Sequence, residues 1–177
     1  MRSVLSNIST WLNLKQVINL EQVVKLPIKF FYFNNSDKCY KKIIEKLMLL
    51  GIEVADITAN TEKAFWESSE LKGKYVKLSR DEIFVLALSK VSNMVLLTNN
   101  NLLIEAARQE GVTVKDIADI LEAMHQKDLI NIFEYKKAIE NYKYLPYFKN
   151  ISRMNKTHYI GEKFKIKEED KLKIKRA

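Results

Sequence analysis

With 177 residues, 47% of them hydrophobic and 29% charged, and with only 4 Gly and 2 Pro, the chain has the makeup of one globular domain and not of a disordered or loop-rich polypeptide. A single cysteine, Cys39, excludes an intrachain disulfide and a CxxC knuckle, and two histidines, His125 and His158, exclude a His-rich metal centre. The net charge of +8 is C-terminal: residues 136–177 hold 13 Lys/Arg against 5 Asp/Glu, which leaves 17 of each in the residues before them.

In chain order, Ser3–Ser6 predicts a short strand and Trp11–Val24 a helix, with Trp11, Leu14, Val17 and Ile18 on one face, ended by Pro27. Lys29–Phe33 is aromatic and predicts the second strand. Asn34-Asn35-Ser36 reads as a turn with a helix cap. A helix follows to Leu50, with Ile43, Ile44, Leu47 and Met48 at helical spacing and Gly51 as its stop. Ile52–Ile57 predicts a strand and Thr61–Leu71 a helix. Leu78-Ser79 opens the next helix, Arg80–Val91, whose nearly continuous apolar residues place it at the centre of the fold. Asn93–Thr98 (NMVLLT) predicts a strand in the middle of a parallel sheet. Asn101–Glu110 predicts a helix stopped by Gly111, Val112–Val114 a strand and Lys115–Gln126 a helix. Strands and helices alternating at this spacing predict an α/β domain, a mainly parallel sheet covered on both faces. The expected organisation is an α/β domain over 1–130, a helical extension packed on it over 131–150, and a basic C-terminal segment over 151–177.

In such a sheet, functional groups gather at the carboxyl ends of the strands. Three segments bring polar residues there: Ser6-Asn7-Ile8-Ser9-Thr10, Asp81-Glu82 and Thr98-Asn99-Asn100-Asn101. Converging oxygen ligands suit Mg²⁺ or Mn²⁺, which activate water for phosphodiester cleavage. Only Asp81 and Glu82 are charged, so the cage is poor. Each group also has a structural use: Asn7 suits a helix cap, Asp81 and Glu82 suit a first helical turn, and the Asn run suits a strand-to-helix loop. Cys39 reads as core and the histidines as surface residues.

Three motifs resemble the PIN-like domain family: VLSNISTWLNL, LSRDEIFVLALSK and NMVLLTNNNLLIEAARQEGV, in the family's order over most of residues 3–125. The resemblance implies a three-layer α/β/α sandwich and descent from metal-dependent endoribonucleases, a family that includes toxins of toxin–antitoxin pairs. It implies Asn7, Glu82 (with Asp81 beside it) and Asn100 as the catalytic positions, with Ser9 and Thr98 keeping the family's hydroxyls. Mg or Mn is the implied cofactor. The early second-helix acid of the family has no counterpart around Lys38-Cys39-Tyr40, with Asp37 nearest. Asn stands where the family has Asp at positions 7 and 100. Three readings of this depletion stay open: a natural, binding-only descendant; Asp→Asn changes that silence a nuclease; or a weak site using Asp81, Glu82, Asp37 and substrate phosphates.

Partners follow from charge. Lys136, Lys137, Lys143, Arg153 and Lys156 are the expected nucleic-acid contacts, with Tyr135, Tyr142, Tyr144, Tyr147 and Phe148 able to stack on bases or to pack on the domain. RNA is the expected ligand. The alternative is a non-catalytic protein- or nucleic-acid-binding module with an antitoxin-like protein partner or a homodimer. The lone cysteine, the absence of an apolar run of about 18 residues and the start without a leader pattern make a cytoplasmic setting the expectation, with no membrane contact.

Overall fold

The computed structural model describes residues 3–33, 41–54 and 61–145. The turn expected at Asn34–Ser36, together with Asp37 and Cys39, lies outside the described residues, as do Tyr147, Phe148, Arg153, Lys156, His158 and the remainder of the C-terminal segment.

Among the described residues, five strands form one parallel sheet in the order β3-β2-β1-β4-β5: β1 Ser3–Asn7, β2 Lys29–Phe33, β3 Glu53–Val54, β4 Val95–Leu97 and β5 Val114–Lys115. The opening strand and the VLL strand are therefore neighbours, with Val4 opposite Val95 and Ser6 opposite Leu97. Among the described residues, eight helices accompany the strands: α1 Ile8–Val17, α2 Leu20–Val23, α3 Lys41–Leu49, α4 Thr61–Lys74, α5 Arg80–Val91, α6 Asn101–Gln109, α7 Ile117–Gln126 and α8 Ile132–Lys143.

The side-chain alternation of the strands sorts these helices into two layers. Val4, Phe30, Tyr32 and Leu97 point into a core shared with α1, α2, α3, α7 and α8. Leu5, Phe31, Phe33 and Leu96 point into the core shared with α4, α5 and α6. The architecture is thus the three-layer α/β/α sandwich. Leu5, Leu96 and Leu97 are fully buried at its centre, worth about 2 kcal/mol each in apolar area removed from water. α8 adds Ala138, Ile139 and Tyr142 to the first core, and Leu145 just beyond it joins them.

Several boundaries differ from the sequence expectation, and most share one cause. Helices α3, α5, α6 and α7 all end in the same hydrogen-bond closure. The next-but-one residue after the C-cap donates back to a carbonyl of the last turn: Ile52 to Leu47 (3.0 Å), Met94 to Ser89 (2.9 Å), Val112 to Ala107 (2.8 Å) and Leu129 to Met124 (3.0 Å). The residue before it takes a left-handed conformation, at Gly51 (φ 73°), Asn93 (φ 51°), Gly111 (φ 72°) and Asp128 (φ 55°). Ile52, Met94 and Val112 are therefore spent closing helices, and the strands expected to begin at Ile52, Asn93 and Val112 begin at Glu53, Val95 and Val114.

The expected Trp11–Val24 helix starts earlier, at Ile8, because Asn7 caps it, and breaks at Ile18, whose backbone is extended (φ −150°, ψ 160°). There the Asn19 side chain accepts from Glu21 N at 3.1 Å and opens α2 instead. α4 continues past Leu71 to Lys74. Lys115 lies in β5, because Asp116 caps α7 in a reciprocal box with Asp119. Met48, expected on the buried stripe of α3, is 60% exposed, while Ile43 and Leu47 are buried. His125 is half-buried, not a surface residue: it stacks on Tyr135 at 5.1 Å, and burial pushes the Tyr135 phenol up to about 12.

Candidate functional site: the carboxyl edge of the sheet

The strand order places the point where the sheet winds in opposite directions between β1 and β4, the position at which open α/β sheets offer a crevice. Asn7 ends β1 there, one residue past the Ser6–Leu97 pair. Its amide oxygen accepts three hydrogen bonds, from Ser9 Oγ (2.9 Å), Thr10 N (3.0 Å) and Thr10 Oγ1 (2.7 Å), which fix the start of α1. The cap expected of Asn7 is present, on a helix three residues earlier than foreseen.

On the other side of the crevice, Thr98 is buried and its hydroxyl accepts from Asn100 N at 3.2 Å. Asn100 caps α6, its Oδ1 accepting from Leu102 N at 3.0 Å. The amide nitrogen of Asn100 donates to Glu82 Oε1. The other oxygen of Glu82, Oε2, accepts from both the backbone N and the hydroxyl of Ser79, each at 2.8 Å, in the capping box that starts α5. The resemblance-derived positions 82 and 100 are thus in direct contact, although 18 residues apart in sequence. Asp81 sits beside them, half-buried in the first turn of α5. The hydrogen bonds of Asn7 Oδ1 run to its own helix.

The orientation of the Asn100 amide follows from its partners. Leu102 N–H can only donate and the Glu82 carboxylate accepts, so Oδ1 must face the helix and Nδ2 the carboxylate. A divalent cation would need Oδ1 and a free carboxylate edge. Among the described residues, no group of three or more His, Cys, Asp or Glu side chains is placed to hold a metal ion. The described residues therefore do not fit a hard-cation cage, which draws on several anionic oxygens.

Beneath the edge lies a layer of buried polar groups: Ser6 and Asn99 belong to the segments that the sequence singles out, Asn13 and Tyr32 do not. Asn13 Nδ2 donates to Asn99 Oδ1 at 3.2 Å, both side chains buried, tying α1 to the loop after β4. Ser6 Oγ donates to the Phe31 carbonyl at 3.4 Å. Tyr32, level with Ser6, is fully buried, and burial pushes its phenol up. The available signal was Asn13 itself, a polar residue between Trp11 and Leu14 on the buried stripe of α1.

A charged cluster stands at the opposite end of α5. Lys90 Nζ lies 2.6 Å from Glu67 and 2.7 Å from Glu110, and Lys74 lies 3.2 Å from Glu110. The hydrogen bond from Lys90, helped by those from Tyr75 and Lys74, holds the Glu110 carboxyl down at about 2, and the bonds of Lys90 to Glu110 and Glu67 raise the lysine. A concavity of about 520 Å³ opens nearby, among Ser3, Lys90, Asn93 and Thr113, at the amino edge of the sheet and away from the candidate site.

Of the expected nucleic-acid contacts, Lys136, Lys137 and Lys143 are exposed on α8. Tyr142 is buried in the core, whereas Tyr144 is 67% exposed. No helix among the described residues is long and apolar enough to cross a membrane.

No family model, no curated protein and no solved structure matches this chain.

Proposed function

We propose that this chain is a PIN-like protein of metal-dependent endoribonuclease descent, working in the cytoplasm, whose cleavage is weak or lost because amides replace acids at its site. The observation that supports this most is the contact of Asn100 with Glu82 across the crevice from Asn7. Glu82 and Asn100 touch, and Asn7 ends the strand beside β4, at the edge where a parallel sheet carries chemistry; the resemblance puts acids at these three positions. RNA is the ligand we assign, held by Lys136, Lys137 and Lys143 together with Arg153, Lys156 and the rest of the basic C-terminal segment.

The test is the Asn7→Asp, Asn100→Asp double variant, assayed on single-stranded RNA with Mn²⁺ or Mg²⁺ and again with EDTA. Metal-dependent product from the variant, well above that of the unaltered chain, is the expected result. No product in either condition removes the nuclease reading. A second reading, a non-catalytic module that binds nucleic acid or an antitoxin-like protein, is favoured by the way Glu82 is already committed to Ser79 and Asn100.

A further inference from the structure

We infer that the Asn100 amide stands in for a divalent cation, so that the carboxyl edge is closed by hydrogen bonds and folds without metal. This rests on the proposed nuclease descent only for where a cation would sit; the contacts themselves are independent of it.

The crevice has to join two elements, the N-terminus of α5 and the loop from β4 into α6. In a metal site, a cation between facing oxygens performs that joining. Here one amide does it. Asn100 Oδ1 accepts from Leu102 N at 3.0 Å while its Nδ2 reaches the Glu82 carboxylate. Glu82 in turn holds Ser79 N and Ser79 Oγ through its second oxygen. The chain of bonds Leu102–Asn100–Glu82–Ser79 thus runs from the first turn of α6 to the cap of α5 with donor facing acceptor at every step.

Turning Asn100 to offer Oδ1 to an ion would break its bond to Leu102 N and aim its N–H groups away from Glu82. A cation would therefore have to displace two formed hydrogen bonds, one of them to the charged Glu82 carboxylate. On the β1 side, Asn7 Oδ1 already accepts three donors from α1. Asn7 Oδ1 is thus saturated by its own helix, and Asn100 Oδ1 faces the first turn of α6 while its N–H groups face Glu82.

Asp at position 100 isolates the proposal. It keeps the cap to Leu102, since Asp caps as well as Asn, but sets a carboxylate against Glu82 in place of a donor. The joint then needs a cation. The experiment uses the full chain as unaltered protein, Asn100→Asp, and Asn100→Asp with Glu82→Gln, melted in mildly alkaline buffer with EDTA or with MnCl₂. The expected result has three parts. The unaltered chain melts at the same temperature in both buffers and shows no Mn²⁺ binding heat by calorimetry. Asn100→Asp melts roughly 5–10 °C lower in EDTA and recovers in MnCl₂. Adding Glu82→Gln restores most of the loss in EDTA and abolishes the Mn²⁺ response, because Gln can donate to the new carboxylate.

Tight stoichiometric Mn²⁺ binding by the unaltered chain overturns the inference, as does Asn100→Asp melting unchanged in EDTA. The calorimetry of the unaltered chain decides the point even if a variant does not fold. Failure of RNA cleavage by the Asn7→Asp, Asn100→Asp protein leaves these melting results untouched, so the two ideas fail separately.

Discussion

Replacing Asn7 by Ala tests whether the end of β1 is held by the geometry described. The Asn7 side-chain oxygen takes three donors, and two distinct losses follow its removal. The first is the N-cap of α1, whose deletion costs about 1 kcal/mol. The second is the Thr10 hydroxyl, which is 1% exposed and donates to Asn7 at 2.7 Å. Left in place without its acceptor, it adds about 1 kcal/mol or more. The Ser9 hydroxyl is half-exposed and recovers water, so it adds little. The expected total is about 2 kcal/mol, or roughly 4–8 °C in Tm for a chain of this length. Asn7→Asp, by contrast, keeps all three acceptor contacts and places a negative charge at a helix N-terminus. Its expected change is within about 0.5 kcal/mol of zero. Equilibrium urea unfolding, followed by far-UV circular dichroism with a shared m value, measures both. If Asn7→Ala loses less than about 0.5 kcal/mol, or Asn7→Asp loses as much as Ala, the cap is not what organises this edge.

Two further outcomes are expected. Glu110 has its folded pKa depressed to about 2 from 4.5 by Lys90, Tyr75 and Lys74. Its contribution is therefore fully present above about 4.5 and is lost as pH falls toward 2. Glu110→Gln should cost about 1–2 kcal/mol at neutral pH and flatten stability across that acidic window; an unchanged acid limb in pH-dependent unfolding contradicts the geometry. A chain ending at Leu145 retains every described helix and strand but loses ten Lys/Arg and four Asp/Glu, so it should fold and lose salt-dependent RNA binding. Filter binding over a salt series reads this, and RNA binding that survives truncation unchanged shows that the body alone carries it.

The fold was legible wherever apolar spacing and capping agreed. Leu78-Ser79 followed by a nearly continuous apolar run located α5 at Arg80–Val91. KFFYF located β2 to the residue. The misplaced strand starts at Ile52, Asn93 and Val112 came from reading β-branched and apolar residues after a helix stop as strand. Hydrophobic spacing does not reveal that the second residue after a left-handed C′ position must first satisfy a helix carbonyl. The candidate site was half legible. Sheet-edge reasoning grouped the segments that hold Glu82 and Asn100, but their direct contact depends on how α5 and the loop after β4 meet. The Asn13–Asn99 bond was invisible because neither residue type nor spacing distinguishes a buried amide pair from a solvated one.

The strand order also has a consequence for assembly. Most sheet pairings close short stretches of chain: Leu96 with Val114, Phe31 with Glu53, Val4 with Phe30. The pairing of Val4 with Val95 instead spans about ninety residues. Loop-closure entropy makes that seam about 1 kcal/mol harder to close than the β1–β2 seam in a flexible chain. The far side of β1, with its bare amides and carbonyls, waits on the most distant strand. The crevice with Asn7 on one bank and Asn100 on the other lies along this seam, so its two banks face each other only once the sheet's least local junction has closed.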